Sequence, residues 1–258
     1  MTRYRFETME EVFRLLGACP EESQASMLAE IVARCARPKD DSRSFRCASL
    51  LFDEQVARLE RIGVHPRLLE AVRDWRPTVI RTAIEGFRAY VPGGPKPRLP
   101  FCPVIPAACA TFTELMAWLS FGGLPARIEL EDDHELVPGN EGGSEPYFIF
   151  DVAPLALPVP VPGPGDFAGQ GVAGLTAAET IAVLTHQALS PPQLGRAISF
   201  AVPGSVVRLE GVPDRQVEIL LYGGNYRLRA LMDYAGDDRF QPVYFCRAKE
   251  LLRAKDLI

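Results

Sequence analysis

The sequence predicts an α+β fold. A helical N-terminal part, residues 1–92, packs against a mixed α/β part, residues 99–258, whose C-terminal sheet is mainly antiparallel. Three observations predict it. Apolar residues recur at helical spacing up to about residue 90. The character then changes at Val91-Pro-Gly-Gly-Pro-Lys-Pro-Arg98, a loop by composition and the best boundary. Beyond it, short runs rich in β-branched and aromatic residues alternate with turn signals. The two parts are either two domains or one integrated domain.

The elements follow in order. Residues 7–37 read as two helices, opened by the capping box Thr8/Glu11 and interrupted at Cys19-Pro20. Pro38-Lys39-Asp40-Asp41-Ser42 is a polar connector, and residues 1–45 look additional to the rest. From residue 52 the chain is helical again, with Phe52, Val56, Leu59 and Ile62 at helical intervals and Gly63 as C-cap. Pro66 and Pro77 each open a further helix. Residues 99–105 form a strand whose Pro100 and Pro103 suit an edge or irregular position. Thr111/Glu114 is a second capping box, and its helix ends at Gly122-Gly123.

A short strand is expected at residues 126–130. Residues 129–145 hold seven acidic residues and no lysine or arginine, so they read as a solvated loop. Residues 147–152, Tyr-Phe-Ile-Phe-Asp-Val, form a strand. Five prolines fall in residues 154–165, which should be extended or polyproline II. Thr176/Glu179 is a third capping box and opens a helix through Ile181, Leu184 and His186. Strands are expected at residues 198–202, 206–209, 217–222, 226–232 and 243–246. Gly223-Gly224-Asn225 joins two of them as a hairpin turn. No internal repeat is present.

Composition narrows the function classes. The net charge of −5 argues against a dedicated nucleic-acid binder. No stretch of about 18 apolar residues lacks both charge and proline, so no membrane-spanning helix is expected. The first residues lack the apolar core of a secretory signal. Six cysteines without a C-x-x-C pair suggest reduced thiols in a cytoplasmic protein, most of them buried as small hydrophobes. Residues 1–100 carry 17 basic and 14 acidic residues, and residues 101–258 carry 11 and 19, an asymmetry too small to name a partner.

Four segments then stand out together: Phe52-Asp-Glu-Gln-Val-Ala-Arg-Leu59 with Ile62-Gly63; Leu99-Pro-Phe101; Pro146-Tyr-Phe-Ile-Phe-Asp-Val152; and Leu175-Thr-Ala-Ala-Glu-Thr-Ile-Ala-Val-Leu-Thr-His186. In this order and spacing the chain resembles a family of uncharacterised bacterial proteins, mainly from actinobacteria, over about residues 50–210. It departs from the family in two places. Gly171-Val-Ala-Gly174 replaces a Gly-Arg ahead of the Leu-Thr, and a tryptophan-rich C-terminal end is missing, since Trp75 and Trp118 are the only tryptophans. The resemblance implies a shared α+β fold and supplies no reaction, ligand or catalytic residue.

Residue types suggest the remaining candidates. His186, near a helix end, is either a general base or metal ligand needing partners from elsewhere, or a histidine favoured by the helix dipole. Asp151 ends a hydrophobic strand, where a carboxylate faces a cleft or caps a turn. Cys102 and Cys109 could line the same cleft. Asp132-Asp133-His134-Glu135 fits no metal-binding spacing and reads as a solvated loop. His65, before Pro66, reads as structural. Phosphate-cradling and nucleophile-elbow motifs are absent. Tyr222, Asn225, Tyr226, Arg227 and Arg229 surround the hairpin, and alternation places the two arginines on one face, open to an acidic partner or simply to solvent.

The expectation is therefore a non-enzymatic binding or interaction protein with a regulatory or accessory role. Its partner would be a protein or a small molecule, with no cofactor, metal, nucleic acid or membrane implied. The alternative is an enzyme of unfamiliar class using His186 and Asp151.

Overall fold

The computed structural model describes residues 41–88, 99–120, 126–130, 135–137, 143–155, 172–186, 197–223, 225–230 and 240–248. The chain divides into two compact units, Met1–Ser44 and Phe45–Ile258. The helices expected over residues 7–37, the 91–98 junction and the proline-rich segment 154–165 lie wholly or mostly outside the described residues. The larger unit holds helical residues 45–88, from before that junction, together with the described strands of the sheet.

Among the described residues are five helices and nine strands, an α+β arrangement. Helix α1 spans Asp41–Arg61, α2 Pro66–Asp74 and α3 Arg76–Arg88. Strand β1 spans Leu99–Val104, followed by α4 at Phe112–Ser120. Strands β2 (Ala126–Ile128), β3 (Glu135–Val137), β4 (Tyr147–Leu155) and β5 (Val172–Gly174) precede α5, Ala177–His186. Four more strands follow: β6 Ala197–Leu209, β7 Val212–Tyr222, β8 Asn225–Ala230 and β9 Phe240–Ala248.

Local chemistry explains the helix ends. Gly63 has φ +84, a conformation glycine adopts without a Cβ clash. There the Gly63 N–H donates to Glu60 O and the Val64 N–H to Leu59 O, a Schellman cap. His65 caps α2, its Nδ1 accepting from the Arg67 N–H at 3.3 Å, so its structural reading holds. The Thr111/Glu114 box closes in both directions: the Thr111 N–H donates to Glu114 Oε2 at 2.7 Å, and the Glu114 N–H to Thr111 Oγ1 at 3.3 Å.

The sheet runs β1-β4-β9-β6-β7-β8-β2, with β3 on β6 and β5 on β9. Its pairs are antiparallel except β2 with β8 and β6 with β9. The β1–β4 arm is covered on both faces. Phe101 and Phe148 meet Phe52 of α1, with ring centroids 6.4 and 5.8 Å away. Tyr147, on the opposite face, reaches Glu179 of α5. Burial of both faces is why 147–152 reads as a nearly continuous apolar run. Gln55 of α1 donates from Nε2 to Phe101 O at 2.9 Å, giving edge strand β1 a buried backbone partner.

Several local expectations are corrected. Helix α1 starts at Asp41, inside the expected connector, and its Ala48 is already in the core. The acidic segment contains strand β3, which pairs with β6. Its Glu135 stands opposite Arg208, and Leu136 and Val137 opposite Val207 and Val206. Strand pairing and this opposite-charge pair outweigh a composition that suggested a loop. The two strands expected at 198–202 and 206–209 are one strand, β6, with an irregularity at Pro203–Ser205. Strand β7 begins at Val212, after a turn in which Gly211 has φ +77. The glycine turn at 223 is present, with Gly223 at φ +57 and the Asn225 amide donating to Gly223 O.

Candidate functional site

Helix α5 organises the polar interior. Its residues Ala177 to Leu184 are buried except Ala182, which is half-buried, so the helix is enclosed nearly all round. At its N-terminus the third capping box is formed: the Thr176 N–H donates to Glu179 Oε2 at 2.9 Å, and the Glu179 N–H to Thr176 Oγ1 at 3.3 Å. The Ala177 N–H donates to Ser205 Oγ on β6 at 2.9 Å. The Gly204 N–H donates to Leu175 O at 2.9 Å. Residue 204 is glycine because a Cβ there would sit 2.7 Å from that same carbonyl oxygen.

Glu179 also anchors charge. Its Oε1 accepts from Tyr147 Oη at 3.1 Å and from Arg247 Nε of β9 at 2.9 Å. Glu179 and Tyr147 are wholly buried and Arg247 is 5% exposed. This group ties α5, β4 and β9 together. The capping box was visible in the sequence; the role of Glu179 as partner of Arg247, 68 residues away, was not. A second buried carboxylate, Glu218, accepts from Ser199 Oγ at 2.5 Å and from Arg229 Nε at 2.9 Å.

The C-terminal end of α5 is built differently. Ala178, Ile181, Ala182, Thr185 and His186 follow i, i+3, i+4, i+7, i+8 spacing and share one face. That face lines a recess with Leu59 of α1, Pro103 of β1, and Leu115 and Trp118 of α4. The recess has about 260 Å³ of empty space, counting its open mouth, and an enclosed part with room for about one water. Thr185 Oγ1 and both ring nitrogens of His186 are buried there without any hydrogen-bond partner. Burial, reinforced by the nearby Arg58 charge, pushes the His186 imidazole down to about 3. It is neutral at neutral pH, so stabilisation of a charged imidazole by the helix dipole does not apply. No described carboxylate or histidine partners it, as a base or a metal ligand would require.

The other candidates separate from this recess. Asp151 is not among its lining residues. It is exposed and sits where β4 passes from β1 to β9, with φ +51, a conformation that aspartate tolerates better than most side chains. Partial enclosure raises its carboxyl above the ordinary range. Cys102 is buried and its thiol is pushed strongly upward by desolvation, with the Glu179 charge adding to it. Cys109 is half-buried, its thiol also raised, and its Sγ donates to Ser144 O at 3.1 Å. Neither has the lowered thiol pKa that activates a nucleophile. Cys246 is also buried, whereas Cys47 is exposed. Cys19 and Cys35 lie outside the described residues, as do Asp132, Asp133 and His134.

Around the hairpin, Arg227 and Arg229 share a face, as alternation predicts, opposite Leu220 and Glu218. Arg229 is held by Glu218. Arg227 lies 3.5 Å from Glu129 and 5.6 Å from the centroid of the Tyr222 ring. Both guanidinium groups thus already have carboxylate neighbours. Tyr222 is exposed, and Asn225 holds the turn. Tyr226 belongs to the opposite, apolar face. It is buried, and its phenol is pushed up to about 12. The five residues therefore do not form one surface.

Among the described residues, no group of three or more His, Cys, Asp or Glu side chains could hold a metal ion, and no helix is long and apolar enough to cross a membrane. Sequence reasoning singled out His186 but missed Thr185 and Arg58. The shared helical face of Thr185 and His186 was the available signal. No family model, curated protein or solved structure matches the chain, so each residue role here rests on the geometry of this fold.

Proposed function

We propose that the chain is a non-enzymatic binding protein with a regulatory or accessory role, and that it takes a small, mainly apolar molecule in the recess at the C-terminal end of α5. One observation carries this reading. His186 presents two buried, unpartnered ring nitrogens to an otherwise apolar recess. Leaving a buried polar group unpaired costs about 1–3 kcal/mol, and a ligand that pairs with it recovers that energy on binding. An apolar pocket with a few convergent polar groups is the usual form of a small-molecule site. Among the described residues Cys47, Cys102 and Cys109 form no disulfide, which fits a cytoplasmic setting. An imidazole held at about 3 is a weak base at neutral pH, which favours binding over acid–base catalysis.

Ligand-detected NMR of the full chain against a fragment library tests the proposal. Ala182→Trp plugs the recess, whereas Ala57→Trp, at an exposed position of α1, leaves it open. Fragments should bind the wild type and Ala57→Trp and be lost from Ala182→Trp, with both variants retaining cooperative unfolding. Fragments that bind all three proteins equally, or none of them, overturn the proposal.

A further inference from the structure

The enclosed end of the recess limits what can reach His186, and the inference rests on the binding reading above. That end has room for about one water, so about one non-hydrogen atom of a ligand enters it. Carboxylate, amide and phosphate groups each bring several. The polar atoms buried there call for both kinds of hydrogen bond. The Thr185 hydroxyl can donate and accept, and a neutral imidazole offers one N–H donor and one acceptor nitrogen. The ring is neutral because burial holds it at about 3. Leu59, Pro103, Ile105, Leu115 and Ile181 give the recess apolar walls, and no lining residue is acidic or carries a full charge. A charged head group would therefore be buried without a counter-ion, which is costly. That excludes an ammonium, and a methyl group leaves Thr185 and His186 unpaired.

We infer that the recess selects a small alcohol, a molecule that ends in a single hydroxyl on an apolar body. A hydroxyl is one non-hydrogen atom, uncharged, and both donor and acceptor, so it matches the enclosed end in size, charge and hydrogen bonding. It donates to the bare imidazole nitrogen and accepts from the Thr185 hydroxyl or the imidazole N–H. The apolar body stays outside the enclosed end, along the walls that open to solvent. Thr185 and His186 thus set specificity, and the apolar residues supply affinity.

Ligand-detected NMR titration of the full chain tests this with probes that share one body: 3-methylbutan-1-ol, its methyl ether, 3-methylbutanamide and 3-methylbutylammonium. The alcohol should bind about tenfold more tightly than the ether or the amide, the ratio expected when one probe pairs the buried polar atoms and the others do not. The ammonium should not bind. His186→Leu should bring alcohol and ether within about twofold of each other, while the variant still unfolds cooperatively in urea. If the ether or the amide binds as tightly as the alcohol, or if His186→Leu leaves their ratio unchanged, the hydroxyl inference is overturned and the small-molecule reading stands. If no probe binds, the hydroxyl inference falls. The binding reading falls with it only if fragment binding is also insensitive to Ala182→Trp, and the recess then holds a water only.

Discussion

The two ends of α5, a helix of ten residues, follow opposite plans. At the N-terminal end, Glu179 accepts from Tyr147, Arg247 and the Thr176 N–H, and Ser205 Oγ accepts from the Ala177 N–H, so these buried polar groups are paired. At the C-terminal end, Thr185 and His186 bury polar atoms that pair with nothing. A satisfied buried network specifies and rigidifies a fold, whereas a buried orphan lowers stability. The first end is thus where the sheet and the helix are joined, and the second is where stability has been withheld. Binding is the use of withheld stability that the proposed function supplies.

The sharpest way to break this comparison is to remove the carboxylate from the closed end. Glu179→Gln leaves the buried Arg247 charge without its carboxylate partner, and such a loss costs about 3–5 kcal/mol. Urea unfolding of Glu179→Gln beside His186→Leu measures the contrast. His186→Leu replaces an orphan by an apolar group of similar size, so it should change stability by less than about 1 kcal/mol or raise it. Equal losses at the two sites would show that the two ends do not differ.

The second prediction uses pH. In the folded chain His186 is held at about 3, below its ordinary 6.5. The unfolded chain therefore binds the proton first as pH falls. The stability that depends on a neutral His186 is complete above pH 6.5 and declines from there toward pH 3. By pH 4 the decline reaches at most about 3.4 kcal/mol, because each pH step of one between those two values is worth about 1.36 kcal/mol. The difference in unfolding free energy between wild type and His186→Leu, measured from pH 7 to pH 4, should follow that slope. A flat difference means that the ring protonates freely and is not enclosed.

Legibility differed between the two ends for a physical reason. The capping boxes at Thr111 and Thr176 depend on residues three apart, so local sequence shows them. The β7–β8 hairpin and the Gly63 cap are likewise local, and each was readable. What Glu179 pairs with is a matter of tertiary assembly: Arg247 comes to it from β9, and nothing near either residue announces the other. The same holds for Leu59, which comes to the recess from α1. Strands β3 and β5 escaped notice because Glu-Leu-Val and Val-Ala-Gly are too short to show a period, and each is a strand because β6 or β9 offers it a backbone to pair with. Grouping Tyr226 with its arginine neighbours failed because adjacent strand residues face opposite sides.

The closed end can also be loosened without touching a charge. Gly204→Ala places a Cβ 2.7 Å from Leu175 O, a backbone atom immediately before the capping box that cannot swing aside. Overpacking of this kind costs about 1–3 kcal/mol. A Cβ added at Gly143 or Gly211 would meet nothing within 4 Å. Gly211→Ala therefore reports only the backbone strain of its positive φ, about 1–2 kcal/mol. The loss at 204 should come with faster hydrogen exchange at the Ala177 and Glu179 amides, and the loss at 211 without it. Identical exchange in the two variants would mean that the β6–α5 contact does not hold that end of the helix.

The smallest expected effect distinguishes the ends most directly, because it compares two hydroxyls. Ser205 Oγ accepts from the buried Ala177 N–H, so Ser205→Ala orphans a helix N-terminal donor and should cost about 1 kcal/mol. Thr185→Val keeps the shape of the side chain and deletes a hydroxyl that pairs with nothing, so it should leave stability unchanged or raise it by up to about 1 kcal/mol. Thermal melts read both. A loss at Thr185→Val equal to that at Ser205→Ala means that the Thr185 hydroxyl already has a partner in solution, a resident water for example, and that the two ends are closed alike. Unchanged stability combined with weaker fragment binding would assign the hydroxyl to the ligand, since the deleted group matters only when the recess is filled.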